Sequence, residues 1–160
     1  MAKQNVVLKL WNSLSGKPGG KWLFSRIICQ KAPYFSSISP RFEQMAPGRV
    51  EISIRNKRAV HNHIGTVHAI AMCNMAELAG GTMTDISIPP SHRWIPKGMQ
   101  VQYLAKAQTD LRAVAVLPQV SEWTAAQELI TPVDIIDSHG TVVMHADINM
   151  WVTAKKSADS

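Results

Sequence analysis

Cysteine is scarce in this 160-residue chain, which holds two, Cys29 and Cys73. They form no CxxC and no Cys/His spacing of the kind that ligates a metal, so both read as packing residues in a reducing compartment, with no metal expected. The first residues lack a long apolar run, because Lys3, Gln4, Asn5 and Lys9 interrupt short apolar stretches. Neither a secretory segment nor a membrane span is expected there, and the cytoplasm is the expected location. A basic run interleaved with aromatics is missing too, so nucleic acid is not an expected partner. No internal repeat and no composition shift marks a second globular domain.

What is present fits one globular domain with a sizeable core, since 46% of the residues are hydrophobic. Seventeen Lys and Arg against eleven Asp and Glu leave a formal net charge of +6. That balance favours an anionic partner, and the scatter of the basic residues points to a phosphorylated small molecule ahead of a nucleic acid.

Val6, Val7, Leu10, Trp11 and Leu14 recur at helical spacing, which predicts an amphipathic helix over 3–15 ended by the GKPGG turn. A second apolar helix is expected over 21–32, followed by short elements punctuated by Pro33, Pro40 and Pro47. Residues 1–48 thus read as a helical arm. Val50, Ile52 and Ile54 alternate with Glu51, Ser53 and Arg55, the period-two signature of a half-buried strand. Further strands are expected around 83–88, 93–105, 110–117, 127–137 and 141–154, the last entered through a DSHG hairpin turn. Between the first strand and these lies an apolar helix within 62–81, with a stop at Gly80-Gly81. A single sheet curling around that helix is the simplest cover for it, which makes the class α+β, with the sheeted domain over 49–155 and a disordered tail over 156–160.

The sequence NHIGTVHAIAMCNMAELAGG, residues 62–81, carries the chemistry. From Ala69 onward it is apolar or small around the whole helix, so the structure around it is expected to bury it, yet it contains Glu77. A buried carboxylate is costly unless it is paired or used. Asn74, one turn earlier, is the second polar side chain there and could hydrogen-bond Glu77 or a ligand.

Asn62, Gly65, His68 at the helix entry and an acid nine residues later, set in strand, loop, helix and further strands, resemble the hot-dog-fold acyl-CoA thioesterases, in particular the phenylacetyl-CoA thioesterase type, and also uncharacterised hot-dog domains. The resemblance covers about 49–154. Where that pattern has two glycines after the histidine and an aspartate as the acid, this chain has Ala69, Ile70 and Glu77. The resemblance implies a sheet wrapped around one long helix, a dimer or dimer of dimers, acyl-CoA as substrate and no cofactor beyond the coenzyme A that the substrate carries.

Helical geometry adds an argument of its own. Nine residues place Glu77 roughly 13 Å from His68 along the axis and on the opposite side of the helix. One chain does not bring them together, whereas two chains around a two-fold axis set the entry of one helix against the middle of the other. At that entry the Ala69 N–H, without an intrahelical partner, could hold a developing oxyanion. Glu77 could attack the thioester or deprotonate a water, with Asn62 orienting water or the thioester oxygen and His68 shaping the loop. Trp94 and Met99 are candidates for an acyl pocket, and Lys97, Lys106, Arg112 and Lys155 for the phosphates of coenzyme A.

Each residue also has a plainer reading. Glu77 could pair with Arg55 or Arg93, Asn62 could be a turn or capping residue, and His68 a satisfied core histidine. His61 and His63 could be loop residues, Trp94 and Met99 core packing, and the lysines solvated charges. Two rival functions stay open: a non-catalytic acyl-thioester binding module, and a hot-dog 3-hydroxyacyl dehydratase using His63 and Glu77, fourteen residues apart.

Overall fold

The computed structural model describes residues 5–156. Helix α1 (Val6–Leu14) starts on Asn5, whose Oδ1 accepts the Val7 and Leu8 N–H groups. Helix α2 (Gly20–Lys31) follows, then a 3-10 turn, Pro33–Ile38, and strands β1 (Arg41–Ala46) and β2 (Arg49–Ile54). A loop and a second 3-10 turn, Arg58–Val60, lead into the long helix α3 (Ala69–Ser87). Four strands complete the chain: β3 (His92–Tyr103), β4 (Leu111–Val116), β5 (Ala126–Asp137) and β6 (Val142–Ala154). All six strands join one antiparallel sheet in the order β1-β2-β4-β5-β6-β3.

The strands after the helix are not a simple run of neighbours. β4, β5 and β6 are consecutive neighbours, but β3 crosses to the far side of β6 and becomes an edge strand of twelve residues. The segment 1–48 also contributes a strand, since β1 pairs along β2. The expected tail over 156–160 lies outside the described residues apart from Lys156.

The Gly80-Gly81 pair does not stop α3, and residues 83–88, expected as a strand, form the last turns of that helix and its cap. The glycines serve close approach to the sheet. A Cβ on Gly80 would sit 2.8 Å from Ile148 Cδ1 and 3.2 Å from Val133 Cγ2, and one on Gly81 would sit 2.9 Å from the Trp94 ring. Close helix-to-sheet packing outweighs the roughly 1 kcal/mol that each glycine costs a helix interior.

The sheet covers one face of α3, where Met72, Met75, Ala76, Ala79 and Met83 are buried against Val133, Ile135, Ala146, Ile148 and their neighbours. The arm covers another flank through the Pro33–Ile38 turn and β1, and a row of edge-to-face aromatics ties α1, α2 and β1 together: Trp11 meets Phe24 at 5.1 Å and Phe24 meets Phe42 of β1 at 5.1 Å. A third flank is left open, and there Ile70 is 55% exposed, Met99 37% and Tyr103 56%. The helix is therefore not wrapped all round by its own chain. No helix among the described residues is long and apolar enough to cross a membrane.

On the outer face of the sheet His145 lies between two carboxylates, with Nδ1 2.6 Å from Asp134 and Nε2 3.4 Å from Asp147. The hydrogen bond to Asp134 raises its pKa above 6.5, against an opposing effect of burial. A raised folded-state pKa stabilises fully below the unfolded value and loses that stabilisation as pH rises through the folded value. Melting curves between pH 6 and 8 are expected to show the native chain losing more stability with rising pH than a His145→Asn variant. The difference should stay below about 1 kcal/mol, because the pair is partly exposed.

Candidate active site

The loop before α3 is built around one amide. Asn62 Oδ1 accepts the backbone N–H groups of Ile64 and Thr66 at 3.1 Å each, and its Nδ2 donates to Thr66 Oγ1 at 2.8 Å. Asn62 thus organises a turn, and Gly65, at φ +79°, supplies the left-handed residue that closes it. The turn, with backbone bonds from His68 N–H to Val60 and from Val67 N–H to Ala107, aims the start of α3. His68 is the helix cap: its Nδ1 accepts the Ile70 N–H at 3.0 Å, so the proton of the neutral ring rides on Nε2. No acceptor among the described residues meets the Ala69 N–H, one of the unpaired donors of the first turn.

Two cavities open along one stripe of α3. The first, about 380 Å³, lies at the helix entry between His61, His68, Ile70, Asn74 and the Tyr34–Ser37 turn. Asn74 is buried; its Nδ2 donates to Ser37 Oγ at 3.1 Å, while Oδ1 has no partner. An orphaned buried acceptor of this kind is suited to a donor brought by a ligand or a water.

The second cavity, about 320 Å³, is an apolar groove between α3, the arm and β3, lined by Ile28, Phe35, Leu78, Gly81, Trp94 and Pro96. Glu77 stands on this groove. The acid expected to be buried is exposed, because it lies on the flank of α3 that neither the sheet nor the arm covers. Among the described residues its carboxylate has no hydrogen-bond or ion-pair partner, so pairing with Arg55 or Arg93 does not occur.

Asp85, two turns beyond Glu77, is a residue that the sequence reading missed. Its Oδ1 accepts the Trp94 Nε1–H at 3.1 Å and its Oδ2 accepts Asn5 Nδ2 at 2.9 Å, which fixes the indole in the groove and the arm beside it. The eight-residue spacing from Glu77, which places both acids on one side of a helix, was the available signal.

The structure brings Glu77, Trp94 and the arm together at one cavity and His68 and Asn74 at the other, with Asn62 and Gly65 shaping the approach. Met99 flanks the open side of α3. His63 is on the exposed part of the turn and lines neither cavity, so one chain does not join it to Glu77. Lys97 is on the opposite face of the sheet, paired with Glu128 at 3.5 Å and stacked 4.8 Å from the Trp151 ring. Lys106 is exposed beside Ala107, whose carbonyl anchors the helix-entry turn. Among the described residues no group of three or more His, Cys, Asp or Glu side chains gathers to hold a metal.

A family model described as Domain of unknown function (DUF4442) matches residues 20–152. A solved structure named genomics APC5556 is 48% identical over 93% of this chain and 98% of its own, with a TM-score of 0.82. A Pseudomonas aeruginosa protein of unknown function, PA5026, named a probable thioesterase, is 22% identical over 79% of this chain and 91% of its own, with a TM-score of 0.71. The thioesterase HI1161 of Haemophilus influenzae shares 10% identity over 83% of this chain and 90% of its own, with a TM-score of 0.70. No curated protein matches the chain.

Proposed function

Because the chain belongs to the family described as Domain of unknown function (DUF4442) and has the hot-dog fold of structures named thioesterases, we propose that it hydrolyses acyl thioesters, with acyl-CoA as the substrate class. The observation that carries this reading is the free Glu77 carboxylate on an apolar groove, on the same helix whose entry presents the unpaired Ala69 N–H. The two lie too far apart along α3 to act on one carbonyl within a chain. The site is therefore shared, with Glu77 of one protomer facing the helix entry of another.

The bare flank supports this pairing. An exposed edge strand of twelve residues that carries Met99 and Tyr103 beside Ile70 of α3 is a liability that a second copy removes. In such a dimer the acyl group enters the groove beside Phe35 and Trp94, and the thioester oxygen points at the Ala69 N–H. Glu77 takes a proton from water as the oxygen attacks the carbonyl carbon. The tetrahedral oxyanion then collapses, the C–S bond breaks, and the thiolate recovers the proton from Glu77. In the other route the carboxylate attacks the carbonyl carbon directly, expels the thiolate, and leaves a mixed anhydride that water opens.

Purified protein given short, medium and aryl acyl-CoAs is expected to release free thiol above background, fastest with acyl groups that fill the groove. A flat response across the whole panel defeats the reading.

A further inference from the structure

A further pocket of about 530 Å³ opens between α2, the 3-10 turn after it and the β1-β2 edge of the sheet. It shares no lining residue with the groove at Glu77. Arg26, Arg41, Arg55 and Lys57 line it, against the carboxylates of Glu43 and Asp110. Both acids are already engaged. Glu43 accepts from Ser53 Oγ at 2.6 Å and lies 3.6 Å from Arg41, and Asp110 accepts the Asn56 N–H at 2.7 Å. Neither Arg26 nor Arg55 pairs with a carboxylate among the described residues. Burial pushes the thiol of Cys29 up, so that side chain stays protonated and adds no negative charge to the lining. Trp22 stands on the rim, 61% exposed.

Two free guanidiniums facing one concavity are suited to phosphate, which a planar fork binds through paired N–H donors. The exposed indole adds a flat surface on which a base stacks. The volume falls in the range of small-molecule sites, whereas a membrane surface or a nucleic acid does not need an enclosed pocket. From these features we propose that the pocket binds the phosphates of a nucleotide, with Arg26 and Arg55 as anion ligands and Trp22 against the base. The site stands independently of the thioesterase reading, although α2 is a wall common to both cavities, since Ile28 and Lys31 line the groove.

Calorimetric titration with ADP, 3′,5′-ADP and pyrophosphate tests it, using the full chain. Saturable binding is expected, weakened at least tenfold in the double variant Arg26→Gln/Arg55→Gln. Those side chains are exposed, and a circular dichroism melt verifies the fold of the variant. Trp22→Ala should weaken ADP while leaving pyrophosphate unchanged. Equal binding by native and double-variant protein overturns the assignment, as does an absence of binding at millimolar ligand. Two sources of the nucleotide are distinguished by kinetics. If it is part of coenzyme A, the double variant raises KM for an acyl-CoA and leaves an acyl-pantetheine unchanged. If it is free, both KM values hold and ADP binds at saturating substrate.

Discussion

Replacing Glu77 by Gln is expected to lower kcat for acyl-CoA hydrolysis by about 10²- to 10⁴-fold, the usual contribution of a positioned base or nucleophile. The amide keeps the volume and the hydrogen-bonding reach of the acid but can neither take a proton from water nor attack a carbonyl. Glu77 is exposed and unpaired, so the change breaks no internal contact and stability should hold within the scatter of surface substitutions, about 0.5 kcal/mol. Ligand affinity, measured by titration with a non-hydrolysable acyl-CoA analogue, should persist. Turnover at a near-native rate sinks the assignment of Glu77, and retained binding without turnover in the native chain favours the binding-module alternative.

The second large effect is expected from Ala69→Pro. Ala69 is the first residue of α3, where proline is tolerated, and His68 before it sits at φ −65° and ψ 138°, a conformation compatible with a following proline. The substitution deletes one N–H and leaves the helix in place. Loss of an oxyanion donor costs about 10²- to 10³-fold in kcat, whereas a purely structural role for Ala69 predicts native turnover from a normally melting protein. Mixing this variant with Glu77→Gln after denaturation and co-refolding tests the sharing of the site. Half of the randomly assembled dimers contain one of each chain, and one of the two sites in such a dimer is intact, which restores roughly a quarter of native activity. Sites confined to one chain restore none.

Periodicity made most of the fold legible before any coordinates, and it failed where packing overrode local pattern. β1 escaped notice because a register shift between Phe42 and Gln44 puts its buried residues, Phe42 and Met45, three apart instead of two. Gly80-Gly81 read as a stop because a glycine's local cost is visible in sequence, while the strand pressed against it is not. At the site, the unusual acid and the helix entry were legible from residue type and spacing. The exposure of Glu77 was not, because an apolar helix shows that something must cover it without showing that its own chain leaves one flank bare. Nor did spacing alone reveal that Asp85 fastens Trp94, or that the arm supplies a wall of the groove.

The strand order has a consequence for how the molecule is made. β3 is synthesised well before β6, its one neighbour in the sheet among the described residues, with β4 and β5 emerging in between. Until β6 arrives, β3 lacks its native partner strand and can only pair with a wrong one or stay unpaired, an exposure that favours misassembly. β6 joins β5 on one side and β3 on the other, so a message cut short before Val142 yields a chain in which β3 has no strand linking it to the sheet and keeps only its packing on α3.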